Sequence, residues 1–264
     1  MARTMQEEMI QQLGDTLFSA LSARQTIAPL TTTHPEISIE DAYKISLRFL
    51  ENRLNQGERV IGKKIGVTSA AVMDMLNVRQ PDFGFMTDAM RHDDVMPISK
   101  LLIQARAEGE IAFLLKDDLV GPGVTAEDVI AATESVMPCF EVVDSRIKDW
   151  QIKIQDTVAD NASCGLFTVN EQAGVDPRSI DLANCAMTVT KNGHVISTGK
   201  GAAAMGNPVN CVAWLANTLG EFGITLNAGD IILSGSLVPL EPVTAGDVMT
   251  VSVEGMGECR VEFT

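Results

Sequence analysis

Arg106-Ala107-Glu108-Gly109-Glu110-Ile111-Ala112-Phe113-Leu114-Leu115 sets two carboxylates into a run that otherwise favours a β-strand. Side chains at i and i+2 of a strand share a face, with Cα atoms roughly 6.6 Å apart, so Glu108 and Glu110 are expected to point the same way. In a helix the same pair would diverge around the axis, which makes the strand part of the chemical claim. A third candidate, Glu141, lies in the apolar run Met137-Pro138-Cys139-Phe140-Glu141-Val142-Val143, where a charge rarely sits unpaired. Three carboxylates converging on one divalent ion, with the remaining positions left to water or an oxygen-rich substrate, make a Mg²⁺- or Mn²⁺-type site. Glu-Gly-Glu alone also fits a half-exposed antiparallel strand with its acids in water, and it is position 141 that weighs against that reading.

The chain has 264 residues, 45% of them hydrophobic, enough for one large domain or one domain with a smaller appendage. A formal net charge of −15 argues against nucleic acid or an anionic membrane surface as partner. If the substrate is an anion, the site must be locally positive. Cys139, Cys164, Cys185, Cys211 and Cys259 are unclustered and odd in number, which suits reduced core thiols and forms no zinc-type pair. The N-terminal stretch has acids from Glu7 and no apolar signal-like region, and no apolar run reaches spanning length, so a cytoplasmic protein is expected. His34, His92 and His194 are isolated, leaving little material for a histidine metal site or a Ser-His-Asp triad.

Along the chain, Met9, Ile10, Leu13, Leu17 and Leu21 recur at helical spacing, and Ser38-Ile39-Glu40-Asp41 resembles a capping box before a second helix. Thr31 to Pro35 between them reads as a loop. This N-terminal helical region, 1–58, precedes a mixed-β region, 59–264, packed with it as one unit. In Val60-Ile61-Gly62-Lys63-Lys64-Ile65-Gly66 an alternating strand would place Lys64 between two glycines, with room for a ligand to reach its ammonium; an exposed basic edge fits equally well. Gln80-Pro81-Asp82-Phe83-Gly84 reads as a turn. A helix is expected from Thr125 through Val136, followed directly by the Glu141 strand. Asp156 to Gly165 is too rich in hydrogen-bonding groups for core and reads as a loop able to line a site. Lys191-Asn192-Gly193-His194 predicts a type I′ hairpin turn, Asn207-Pro208 a helix start, and the last third is strand-rich. The spread of short strands favours α+β, one mixed β domain with flanking helices.

In this order, Gly62-Lys63-Lys64-Ile65-Gly66, Glu108-Gly109-Glu110, Glu141 and Asp160-Asn161-Ala162-Ser163 resemble the fumarylacetoacetate hydrolase superfamily, most closely its branch of 2-oxopent-4-enoate (2-hydroxypenta-2,4-dienoate) hydratases of aromatic meta-cleavage catabolism. The resemblance extends over nearly the whole chain, including Val142-Val143-Asp144-Ser145-Arg146 and Gly206-Asn207-Pro208. It implies a mixed β-roll-like core, Mg²⁺ or Mn²⁺ held by Glu108, Glu110 and Glu141, and cytoplasmic homo-oligomers. The sister 4-oxalocrotonate decarboxylases share the glutamates and lysine and are said to associate with the hydratase; they resemble one another in lacking an acid where this chain has Asp82. Lys200 departs from the family pattern, where a small residue is usual.

For such a hydratase the substrate presents a carboxylate and a 2-oxo or 2-hydroxy group on adjacent carbons, a five-membered chelate for a hard cation. Lys64 is the candidate for polarising the oxo acid or relaying protons, its pKa lowered by burial beside a metal, and Asp82 the candidate for handling water. Arg106 is expected to clamp the substrate carboxylate or orient Glu108, and Asn161 and Ser163 to bond substrate or water. A non-catalytic oxo-acid or metal-binding protein is the alternative from another class. An acylpyruvate hydrolase would need a water-activating base, for which no histidine is suitably placed.

Overall fold

The computed structural model describes residues 5–69, 73, 74, 78 and 80–264. Helices α1 (Glu7–Ala23), α2 (Leu30–Thr33) and α3 (Ile39–Asn55) open the chain. The predicted capping box is present, with Ser38 accepting from the Asp41 N–H and Asp41 returning to the Ser38 N–H. The stretch read as a loop from Thr31 contains the single turn of α2.

A seven-stranded sheet follows the order β2 (Asp82–Thr87), β1 (Val60–Gly66), β9 (Ile231–Leu233), β4 (Arg106–Leu115), β5 (Thr133–Val143), β6 (Leu166–Val169), with β10 (Glu241–Pro242) added beside β4. A five-stranded sheet runs β3 (Val95–Met96), β12 (Gly257–Phe263), β11 (Val248–Val253), β7 (Ala186–Lys191), β8 (His194–Lys200). Further along the described residues come the helices α4 (Ile98–Leu101), α5 (Ala126–Ala132), α6 (Ile154–Ala159) and α7 (Pro208–Glu221). Two predicted boundaries move. Residues 82–87 are a wholly buried strand rather than a turn, and the helix expected to reach Val136 ends at Ala132, because β-branched Thr133 and Val136 already belong to β5.

The two faces of β4 have different neighbours. Gly109 lies so close to the second sheet that a Cβ there would be 3.0 Å from Met187 Sδ and from Val189 Cγ2. Ile111 and Phe113, on the same face, join the large core. That core runs from Ile10 through Tyr43, which stacks on Phe83 with ring centroids 4.4 Å apart, to Phe263, so the N-terminal helices and the β region share one hydrophobic interior. On the opposite face, Lys64, Leu233, Ala112 and Met137 are paired in one row across β1, β9, β4 and β5. Three strand spacings in a flat sheet would hold Lys64 roughly 14 Å from β5. Its Nζ is instead 3.2 Å from Glu141 Oε1 on β5, which requires this face to be strongly concave. The curl is fastened where Arg91 bridges to Phe167 and the His92 N–H donates to the Phe167 carbonyl, so the sheet rolls up around Met86, Ala112, Met137, Phe167 and Leu233. Cys139, Cys164, Cys185, Cys211 and Cys259 are all free and buried. Among the described residues no helix is long and apolar enough to cross a membrane.

Candidate metal centre and active site

The carboxylates sit inside the roll. Strand alternation puts Glu108 and Glu110 on the concave face, and the antiparallel register sets Glu108 directly opposite Glu141. One oxygen from each of Glu108, Glu110 and Glu141 lies within 4.8 Å of the others. Glu110 and Glu141 are fully buried, and Glu108 is half-buried. Like charges directly opposite in a sheet are destabilising, and buried carboxylates normally take several hydrogen bonds. Here Glu110 Oε2 accepts one, from the Gly235 N–H at 2.8 Å, and Glu141 Oε1 faces the Lys64 ammonium at 3.2 Å, while Glu110 Oε1 and Glu141 Oε2 accept none. Three converging carboxylates with fewer protein donors than oxygens fit a divalent cation of the magnesium, manganese or calcium kind.

The titration of these groups follows from the same crowding. Burial and the neighbouring Glu141 push Glu108 up to about 8. Burial, with Glu141 and Glu108, holds Glu110 well above the usual carboxylate range, and burial raises Glu141 against the pull of Lys64. Burial works to lower Lys64, yet Glu141, Asp82 and Glu108 outweigh it and the ammonium is raised. Without a metal ion on the glutamates, the three acids favour the protonated ammonium.

Gly62 and Gly66 flank Lys64 on its face, as the strand reading expects, but the space they leave has an occupant within the chain. A Cβ at Gly66 would fall 2.3 Å from Asp82 Oδ1 and 3.1 Å from Lys64 Nζ, so Gly66 lets the Asp82 carboxylate approach the ammonium. Asp82 reaches this place because it pairs with Gly66 at the start of β2, which no turn would allow. Its Oδ1 is buried and without a hydrogen-bond donor, and burial pushes the group up against the pull of Lys64.

The loop residues turn out to act within the protein. Asn161 donates to the Phe85 carbonyl at 2.9 Å and accepts from the Phe85 N–H at 2.8 Å, closing the free edge of β2 as a neighbouring strand would. Ser163 Oγ shares a hydrogen bond with Thr157 Oγ1 at 3.1 Å. The sequence expects both residues to bond substrate or water; within the protein, Asn161 satisfies buried backbone groups at the edge of β2 and Ser163 pairs with Thr157. Asn161, Ala162 and Ser163 are three consecutive non-glycine residues with positive φ (55°, 51° and 54°), a costly backbone that the surrounding bonds must hold. What holds it is a pair that sequence reasoning missed. Arg146, fully buried, ion-pairs with Asp160 and donates to the Asp160 and Cys164 carbonyls. Charged residues in the otherwise apolar run before Arg146 are the signal that could have found it. Lys63, on the other face of β1, is buried against Asp230. Arg106 is half-buried at the entry of β4, its guanidinium 4.8 Å from the centroid of the Trp150 ring. Lys200 is exposed at the end of β8, in the other sheet.

The family model for the fumarylacetoacetate (FAA) hydrolase C-terminal domain matches residues 64–264. The chain belongs to the fumarylacetoacetate hydrolase family. All three glutamates, Lys64 and Asp82 of this family member fall inside the matched region. It is 60% identical over 261 residues to a 2-hydroxyhexa-2,4-dienoate hydratase of Comamonas testosteroni, covering 98% of each chain. It is 67% identical over 222 residues to a 2-hydroxypent-2,4-dienoate hydratase of Pseudomonas putida, covering 83% of this chain and all of the other. The structure of 4-oxalocrotonate decarboxylase from Pseudomonas putida G7, complexed with magnesium and adipate, superposes with a TM-score of 0.95 at 34% identity, covering 99% of this chain and 100% of that one.

Proposed function

We propose that this protein is a metal-dependent hydro-lyase that adds water to 2-hydroxypenta-2,4-dienoate (2-oxopent-4-enoate) and gives 4-hydroxy-2-oxopentanoate, a step of aromatic meta-cleavage catabolism. The observation that carries it is the buried convergence of Glu108, Glu110 and Glu141, with more carboxylate oxygens than protein donors, beside a Lys64–Asp82 couple. Identity of 60% and 67% to named hydratases, against 34% to the decarboxylase, favours hydration over loss of CO₂. A divalent ion, Mg²⁺ or Mn²⁺, held by the three glutamates would supply a Lewis acid for the adjacent carboxylate and 2-oxo oxygens of the substrate.

The chain's own groups divide the proton work. Lys64 Nζ, kept protonated by Glu141 and Asp82, stands as the donor toward the dienol. Protonation of the distal carbon with loss of the enol O–H proton yields an α,β-unsaturated 2-oxo acid, which takes hydroxyl from water at the carbon conjugate to the ketone and a proton at the carbon next to the ketone. Asp82 Oδ1 has no donor of its own and is the acceptor for the proton that this water loses. An anionic Asp82 also disfavours a six-carbon diacid, whose second carboxylate it would repel, while tolerating a neutral vinyl end. Arg106 binds the substrate carboxylate. We place the enzyme in the cytoplasm as a homo-oligomer, able to associate with a 4-oxalocrotonate decarboxylase. The test is metal dependence: chelation abolishes disappearance of the dienoate and Mg²⁺ or Mn²⁺ restores it, whereas full turnover by a metal-free preparation or by Glu110→Ala would overturn the proposal.

A further inference from the structure

On the concave face of the sheet, half-buried Arg106 has an aromatic support but no acid. Arg106 shares the face of β4 with Glu108, two residues on, and its backbone is fixed from both sides, paired with Val143 of β5 and Pro242 of β10. Among the described residues it makes no ion pair, although the chain has a net charge of −15. Its one recorded side-chain partner is the face of Trp150, 4.8 Å from guanidinium carbon to ring centroid. A guanidinium held over an indole face keeps N–H groups available to meet a carboxylate.

The indole is itself held in place. Trp150 Nε1 donates to the Gln104 carbonyl at 3.2 Å, on the segment leading into β4, and the Gln104 amide donates back to the Ser145 and Ile147 carbonyls at 2.8 and 2.7 Å. Asp149 and Trp150 both adopt positive φ, 54° and 56°, a conformation that non-glycine residues avoid. Backbone strain of this kind persists only when neighbouring bonds hold it, and here it delivers the ring to Arg106.

We infer that Trp150 is a positioning residue for substrate binding: it holds the Arg106 guanidinium in place to meet the carboxylate of the 2-oxo acid. This rests on the proposed site, where Arg106 meets that carboxylate, and adds the residue that aims it. Because the carboxylate is unchanged during hydration, the contact is equally strong in ground and transition states, so its loss raises KM and leaves kcat nearly intact.

The experiment is a double-mutant cycle with Trp150→Ala, Arg106→Ala and the pair, measuring kcat and KM for the dienoate on Mg²⁺-loaded protein. Binding of 2-oxopentanoate, a saturated oxo acid that cannot be hydrated, is measured in parallel. Trp150→Ala should weaken binding and raise KM roughly tenfold, within the range of a desolvated cation–π contact, and add little in the Arg106→Ala background. Trp150→Phe, which keeps a ring but loses the Gln104 bond, should recover most of the affinity. In a Trp214→Phe background, with Trp150 the remaining tryptophan, emission should change on addition of 2-oxopentanoate. Equal losses from Trp150→Ala with and without Arg106, a fall confined to kcat, or unchanged Trp150 emission at saturation would overturn the inference. Absence of wild-type turnover would instead refute the hydratase reading, so the two failures are distinct.

Discussion

Glu110→Gln separates a metal ligand from a structural acid more sharply than any truncation. Two carboxylate oxygens within 4.8 Å would repel by about 3 kcal/mol if both were charged, at an effective dielectric constant of about 20. In the metal-free protein, burial and the two other glutamates hold Glu110 well above the carboxylate range, which favours its neutral form and relieves this repulsion. Glutamine has the same shape, needs no proton, and can still accept the Gly235 N–H through its amide oxygen. The metal-free variant should therefore melt at or above the wild-type temperature. The wild type should gain about 4 kcal/mol from Mg²⁺ at 1,000 times its Kd, roughly a 10 °C rise in Tm for a chain of this size. In Glu110→Gln that rise should shrink to about 2 °C or less, because neutralising one hard ligand removes most of the affinity. Thermal melts with EDTA and with saturating Mg²⁺ read both numbers. A full metal-induced shift in the variant, or a metal-free Tm several degrees below wild type, would refute the assignment of Glu110.

Glu108, raised from 4.5 to about 8, makes the metal-free protein pH-sensitive: the folded state binds its proton more tightly, so this group's contribution to stability is full below about 4.5 and is lost as pH rises through about 8. Denaturant melts in EDTA should show this decline, and Mg²⁺ should flatten it. Lys64→Ala and Asp82→Asn should each lower kcat by about 10²-fold or more while 2-oxopentanoate still binds, since proton transfer contributes about 10²–10⁴-fold; a pure KM effect in steady-state kinetics would contradict their roles. Gly84→Ala would place a Cβ 2.4 Å from the Asn161 carbonyl oxygen, so chemical denaturation should show a loss of about 1–3 kcal/mol.

The fold and the site were legible in the sequence to different depths. Glu108 and Glu110 could be placed together because a strand's period is two, and Glu141 because a charge inside an apolar run needs a reason. Lys64 followed from the alternation of glycines around it. Asp82 was harder: Pro81 and Gly84 are turn residues by local propensity, yet Gly84 is there because the Asn161 carbonyl approaches β2, a tertiary contact that no local pattern announces. Asn161 and Ser163 carry the polar side chains expected of ligand-binding loops, and polarity alone cannot tell a bond to substrate from a bond to Phe85. The helix before β5 was overextended because sheet pairing from Thr133 overrides helical periodicity. The curl that brings Lys64 within 3.2 Å of Glu141 depends on the bridge between Arg91 and Phe167, far apart in the chain, and is invisible in either segment alone.

The most direct measurement is the ¹H NMR spectrum of the products formed when Mg²⁺-loaded protein is given freshly generated 2-hydroxypenta-2,4-dienoate in one tube and 4-oxalocrotonate in another. The account predicts 4-hydroxy-2-oxopentanoate, with its methyl doublet, from the first and unreacted diacid in the second. Release of CO₂ from 4-oxalocrotonate with no hydration of the dienoate would contradict it.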